Sequence, residues 1–261
     1  MGSSPFGVLL DIDGVLHVGD EPIDGAVETL SLLREESAGV RLVTNTTSRS
    51  RREVAAHLRE LGFDVALEEV LTPAAMAVHH CHEQGYRSVA LLISDGLSED
   101  LAPLEGSASP ARADAVILGD MGEGFTAKVL NSAFRLLMDG AELVALQHNR
   151  YWRRADGLAL DVGAYAAALE YATGREGVIV GKPSDAFFHA ALADMGLEQA
   201  VMVGDDVEVD VGGAMAAGLA GVLVRTGKYR ADALPASEVS PTAILDSIAD
   251  FPALLARLPA P

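Results

Sequence analysis

Asp11-Ile12-Asp13-Gly14-Val15-Leu16 sets two carboxylates two residues apart, directly after an apolar run. Three other polar groups stand in the same relation to an apolar run. Thr44-Asn45 follows residues 40–43, Lys182 follows 178–180, and Gly204-Asp205-Asp206 follows 200–203. Carboxylates gathered in one place repel one another and require a cation. Oxygen donors with no histidine or cysteine nearby favour Mg²⁺, which binds few carboxylates and keeps room for waters and a substrate phosphate. A carboxylate beside such an ion can attack phosphorus and become an aspartyl-phosphate. A lysine, a hydroxyl and backbone N–H groups suit the charged oxygens of a phosphoryl group in transfer. A second carboxyl close by can protonate the leaving oxygen and then deprotonate the hydrolytic water. Taken singly, Asp-x-Asp-Gly is also a common turn with Asx hydrogen bonds. The shared placement of all four groups carries the chemical reading.

The elements that must position these groups follow from hydrophobic periodicity. Short β-branched or leucine-rich runs alternate with longer amphipathic segments, the pattern of a parallel α/β sheet. Strands are expected at 7–10, 40–43 and 70–71, with helices at 25–36 and 50–61 between them. From about residue 74 the pattern restarts and continues to about 175. Strands are then expected at 178–180, 200–203 and 221–224, with helices at 184–195, 209–217 and 247–258. In an open parallel sheet, sites form beyond the carboxyl ends of the strands. Four such ends would bring Asp11, Asp13, Thr44, Lys182, Asp205 and Asp206 into one pocket.

These residues resemble the haloacid dehalogenase superfamily of phosphohydrolases. Asp11–Leu16 is similar to its first motif, Thr44 to its second, Lys182 to its third, and Gly204-Asp205-Asp206 with Asp210 to its fourth. Thr44-Asn45-Thr46-Thr47, Gly157-Leu158-Ala159-Leu160, Ala168-Leu169-Glu170-Tyr171-Ala172 and Thr226-Gly227-Lys228-Tyr229-Arg230 resemble one branch of it, which includes pyrophosphate and P–N bond phosphatases. The resemblance implies a Rossmann-like parallel-sheet core, residues 1–73 and 177–261, with an α/β cap of the C2 type inserted as residues 74–176. It implies that Asp11 is the nucleophile and a metal ligand. Asp13 would be the general acid/base and bind Mg²⁺ through its backbone carbonyl, with Asp205 as the remaining protein ligand. Thr44 and Lys182 would hold the phosphoryl group, helped by the Asn45 backbone, while Asp206 and Asp210 orient Lys182 or metal waters. Asp13 favours phosphatase over dehalogenase, which in this family lacks that acid. Val15 replaces a common threonine, outside the implied chemical roles. The expected function is Mg²⁺-dependent hydrolysis of small phosphorylated metabolites. Phosphoryl transfer to another acceptor, pyrophosphate or P–N hydrolysis, and an idle binding or scaffold protein are the alternatives.

In that architecture the cap supplies leaving-group contacts, and His148-Asn149-Arg150 is the candidate loop, with Asn149 and Arg150 at the mouth; a solvated connection or a subunit interface is the other reading. An apolar cap face can support a homodimer, by analogy. The chain has 261 residues, 49% hydrophobic and 22% charged, enough for a sizeable core. A net charge of −19 argues against nucleic acid or anionic membrane as partners. The aromatic-basic run Arg150–Arg154 is accordingly read as cap surface or dimer contact. One cysteine, Cys81, no leader-type N-terminus and no bilayer-length apolar run lead to the expectation of a soluble, cytoplasmic protein. His79-His80-Cys81-His82 lacks a complementary ligand cluster and is read as helix surface. Gly177–Lys182 has three residues where a Walker loop needs four, and Pro183 follows, so an ATPase loop is rejected.

Overall fold

The computed structural model describes residues 6–104, 112–154, 157–231 and 237–258, with the side chains of 152–154 outside that description. The small-residue, proline-containing segment 105–113, which the sequence marks as a loop, therefore lies mostly outside the described residues, as do the side chains of the aromatic-basic run beyond Tyr151. The strands, in chain order, are β1 (Gly7–Asp11), β2 (His17–Val18), β3 (Glu21–Pro22), β4 (Gly39–Val43), β5 (Val70–Leu71), β6 (Val89–Leu92) and β7 (Ala115–Leu118). They continue as β8 (Glu142–Ala145), β9 (Tyr151–Arg154), β10 (Gly157–Leu160), β11 (Val178–Ile179), β12 (Ala200–Gly204), β13 (Ala220–Val224) and β14 (Ala243–Leu245). The helices are α1 (Ala26–Glu36), α2 (Arg51–Glu60), α3 (Pro73–Glu83), α4 (Ser98–Leu101), α5 (Ala127–Met138), α6 (Val162–Thr173), α7 (Asp185–Met195), α8 (Gly213–Ala216) and α9 (Phe251–Leu255). The fold is α/β, and the chain forms two compact units.

The first unit comprises Met1–Thr44, Arg51–Leu71 and Lys182–Pro261. Its sheet has the order β14-β13-β12-β1-β4-β5 with every pairing parallel. Parallel strands covered on both faces read as continuous apolar runs, because neither side meets water. Val8, Leu9 and Leu10 of β1 and Val201, Met202 and Val203 of β12 are accordingly all buried. Val8 and Leu10 join a core with Leu30 and Leu33 of α1, Val54 and Leu58 of α2, and Phe251 of α9. Leu9 faces the opposite side by the alternation of the strand. Two expected helices differ in form. Residues 207–212 make a π-helical turn before α8, and the closing segment is a 3₁₀ turn at Ile248–Asp250 leading into the short α9.

The second unit comprises Asn45–Ser50 and Thr72–Gly181. Its sheet, β11-β8-β7-β6, is parallel throughout, and β9 and β10 form a separate antiparallel ribbon. Apolar side chains cover both faces of the four-stranded sheet. Ala77 and Cys81 of α3 pack with Ile117 and Val144, while Ala133 and Leu137 of α5 and Ala166 and Leu169 of α6 pack with Val116 and Leu118. The run at 178–180, read from sequence alongside the strands that carry Asp11 and Asp205, pairs instead with β8 in this second sheet. A three-residue apolar run specifies a strand but no particular neighbour, since pairing is decided by distant residues. Cys81 is fully buried rather than on a helix surface, and His79 and His82 on the same helix are exposed. His80 Nε2 lies 2.7 Å from Glu142 Oε2. Among the described residues no helix is long and apolar enough to cross a membrane.

Candidate active site

Strand register sets the centre of the site. Asp11 is the last residue of β1 and is paired with Val43 of β4, so Thr44 begins one step beyond it on one side. On the other side Leu10 is paired with Val203, which puts Gly204-Asp205 beside and beyond Asp11. Asp11, Thr44 and Asp205 are all buried. Strands ending together at the carboxyl edge of a parallel sheet present their next residues to one crevice.

Lys182 enters from the connection between β11 and α7, where the Lys182–Pro183 peptide is cis. Its Nζ donates to Asp11 Oδ1 at 2.6 Å and to Asp210 Oδ1 at 2.7 Å, with the lysine side chain only 2% exposed. Burial disfavours a charged lysine, but the charges of Asp11 and Asp210 outweigh it and hold the ammonium above its ordinary range. The same burial, reinforced by Asp210 and Asp205 and opposed by Lys182, pushes the Asp11 carboxyl up to about 8. Burial also raises Asp205 to about 6, against the stabilising N–H of Lys228. With more carboxylates than cations, the chain alone favours retaining protons here.

The fourth motif divides its labour. Asp210 pairs with Lys182 through Oδ1 and accepts the Asp206 N–H through Oδ2 at 3.1 Å. Asp206 turns its Oδ1 to the N–H groups of Glu208 and Val209, both at 3.0 Å, and so caps the π-helical turn. Gly204 is needed because any Cβ there would overlap the Asp210 side chain. Asp205 Oδ2 accepts the Lys228 N–H at 2.6 Å, and its Oδ1 is buried without a hydrogen-bond partner. Asp11, Asp205 and Asp210 each bring a carboxylate oxygen within 4.8 Å of the other two. An orphaned buried carboxylate oxygen beside two more all-oxygen donors fits a hard divalent cation.

Asp13 has an exposed side chain, 64% accessible, with Oδ1 3.9 Å from Nε2 of the buried His17. His17 Nδ1 lies 2.8 Å from the Gly19 carbonyl, which only a protonated nitrogen can satisfy, so Nδ1 carries the hydrogen. Sequence reasoning overlooked His17, whose only signal is its place four residues after Asp13.

The remaining candidates lie in the second unit. Asn45 follows Thr44 directly in the chain. Asn149 and Arg150 sit on a loop built by buried polar groups. Gln147 donates to Asp161 Oδ1 at 2.5 Å and accepts the Asn149 N–H at 2.5 Å, while the Arg150 carbonyl accepts from Asp161 N. Asp161 also caps α6 through the Val162 N–H at 2.8 Å, and Gly163 N donates to the Asn149 carbonyl. Burial raises the Asp161 pKa.

Residues 8–105 match the family described as haloacid dehalogenase-like hydrolase, and residues 179–251 match the HAD-hydrolase-like family. The human haloacid dehalogenase-like hydrolase domain-containing protein 2 is 44% identical over 86% of this chain and 85% of its own. The human phospholysine phosphohistidine inorganic pyrophosphate phosphatase is 41% identical over 95% of this chain and 93% of its own. Among solved structures, a glycerol phosphate phosphatase from Mycobacterium tuberculosis in complex with magnesium superposes with a TM-score of 0.80 at 34% identity, covering 93% of this chain and 74% of that one. With its first-motif aspartate, buried lysine and acidic fourth motif gathered at one sheet edge, the chain belongs to the haloacid dehalogenase-like hydrolases and is a phosphatase of that superfamily.

Proposed function

We propose that the chain is a Mg²⁺-dependent phosphatase that hydrolyses small phosphorylated metabolites through an aspartyl-phosphate on Asp11. The observation that carries this reading is the buried Asp11 held 2.6 Å from Lys182, beside an Asp205 whose second oxygen has no protein partner. Asp11 and Asp205, with the backbone carbonyl of Asp13, would hold the cation. When bound, Mg²⁺ neutralises the carboxylates and the phosphoryl oxygens, so that an anionic substrate can approach an anionic nucleophile. Lys182 and the Thr44 hydroxyl, helped by the Asn45 backbone, bind the oxygens of the phosphoryl group. Asp210 holds Lys182 by its carboxylate, and Asp206 holds the turn that carries Asp210. An Asp11 oxygen attacks phosphorus as the P–O bond to the leaving group breaks, and Asp13 gives its proton to the departing oxygen. Asp13 then takes a proton from water, which attacks the aspartyl-phosphate, releases inorganic phosphate and restores Asp11. The exposed Asp13 side chain suits a group that must meet both the leaving oxygen and water.

Phosphate release from an aryl phosphate tests this directly. Protein stripped with EDTA is expected to lose activity by about 10²-fold or more and to regain it with Mg²⁺. An undiminished rate in EDTA would overturn the metal reading.

Pyrophosphate or P–N bonds are the second reading, favoured by 41% identity to a phosphatase named for such substrates. A panel of phosphate monoesters, pyrophosphate and phospholysine separates the two by kcat/KM. Asn149 and Arg150 are proposed to contact the leaving group. Arg150→Ala is then expected to raise KM for the preferred substrate by about tenfold, with kcat for the aryl phosphate unchanged. Equal KM values for Arg150→Ala and wild type across the panel would remove that loop from the site.

A further inference from the structure

We propose that Thr226-Gly227-Lys228, the loop after β13, is a positioning element that turns one oxygen of Asp205 toward a divalent cation; this rests on the metal reading above. No role in the chemistry attaches to these residues in the motifs already described. Three observations place the loop against Asp205. The Lys228 N–H donates to Asp205 Oδ2 at 2.6 Å, which engages that oxygen and leaves Oδ1 buried and unpartnered. Thr226 Oγ1 donates to the Gly14 carbonyl at 2.5 Å and so ties the loop to the turn that follows Asp13. Gly14 and Gly227, at φ +91° and +62°, meet backbone to backbone: a Cβ on Gly227 would overlap both Gly14 Cα and Asp205 Oδ2, and a Cβ on Gly14 would overlap Asp205 Oδ2 as well. Asp205 is therefore wedged by two glycines and pinned by one backbone N–H.

The consequence is specific. A carboxylate with one oxygen held by a backbone donor offers its unpartnered oxygen to a cation in a fixed direction. Residues behind a metal ligand that orient it are worth about 10–100-fold in metal affinity. The Lys228 side chain is not what holds Asp205. Its ammonium adds positive charge near the cluster and is itself held above its ordinary pKa, against burial, by Asp11, Asp205 and Asp210.

The test uses the full-length chain and Mn²⁺ alone as the probe, with affinity measured by electron paramagnetic resonance in the absence of substrate. Gly227→Ala is expected to weaken Mn²⁺ binding by about tenfold or more, and Thr226→Val by about threefold to tenfold. Thr226→Ser keeps the hydroxyl and is expected to bind as wild type does. The Mg²⁺ concentration for half-maximal activity should rise in the two impaired variants, while KM at saturating Mg²⁺ stays within about twofold. Wild-type Mn²⁺ affinity in folded Gly227→Ala, or in Thr226→Val, overturns the assignment. Should Gly227→Ala fail to fold, the Thr226→Val and Thr226→Ser pair decides, since equal affinities in both variants overturn it equally. A wild-type chain that binds no Mn²⁺ would overturn the metal reading itself. A wild-type chain that binds it no better than the variants overturns only the role of this loop.

Discussion

Replacing Asp11 by asparagine is expected to lower kcat for phosphate release by about 10³-fold or more while leaving the protein as stable as before, or more so, near pH 8. The amide has the shape of the carboxylate but cannot form the aspartyl-phosphate, so loss of activity follows from chemistry rather than from folding. The stability half of the expectation comes from charge. Asp11 is buried beside Asp210 and Asp205, and its pKa is pushed up to about 8. An acid whose folded pKa lies above its unfolded value contributes stability when protonated, below about pH 4, and loses that contribution as pH rises toward the folded value. Wild type in EDTA therefore carries a penalty that grows between about pH 4 and pH 8, and Asp11→Asn removes it. The amide oxygen can still accept from Lys182. Thermal midpoints of the two proteins in EDTA should thus differ less at pH 5 than at pH 8, where the gap in favour of Asp11→Asn is widest. Full activity in Asp11→Asn would sink the nucleophile. A variant destabilised more at pH 8 than at pH 5 would contradict the repulsion argued from the buried cluster.

Lys182→Met has the opposite stability signature. The substitution keeps an unbranched side chain but removes the ammonium that donates to Asp11 at 2.6 Å and Asp210 at 2.7 Å, all three groups being buried. Removing one partner of a buried ion pair strands the others, and the loss is about 3–5 kcal/mol. Lys182 is charged throughout the accessible range, because its folded pKa lies above the ordinary lysine value. The pH dependence of the variant therefore comes from Asp11, whose carboxyl is already pushed up by burial and loses the ammonium that opposed that rise. The stability deficit should be largest near pH 8 and shrink toward pH 5, as read from urea midpoints in EDTA. Activity is expected to fall by about 10²-fold or more at any Mg²⁺ concentration, since the donor proposed for the phosphoryl oxygens is lost. Lys182→Arg is not expected to restore it, because a planar guanidinium is larger than the ammonium slot between two carboxylates. A Lys182→Met protein with wild-type stability at pH 8 would show that Asp11 and Asp210 do not depend on this lysine.

Much of this site is written in the sequence because parallel α/β folds translate order along the chain into place along an edge. An apolar run followed at once by Asp11, by Thr44 or by Gly204-Asp205 marks a buried strand and the residue beyond its carboxyl end, and the register of β1 with β4 and β12 sets those three ends side by side. Lys182 was equally visible as a residue after an apolar run, but the reason it reaches Asp11 was not. Its preceding strand pairs with β8 in the second unit, and the lysine arrives from a connection rather than from a strand of the six-stranded sheet. Local pattern encodes burial and period, whereas pairing depends on residues tens of positions away. The same limit separates Asp206 from Asp210. As sequence they are two acids in one motif; as structure one caps a turn and the other holds Lys182. It also hid what Thr226-Gly227-Lys228 touches, although its strand-then-polar grammar repeats that of the other motifs. Its work is done by a backbone N–H, a hydroxyl and the absence of a Cβ. Side-chain types announce acids, bases and cations in a sequence. Backbone donors and close glycine contacts acquire meaning only when folding brings two distant turns together, and here that meeting aims Asp205.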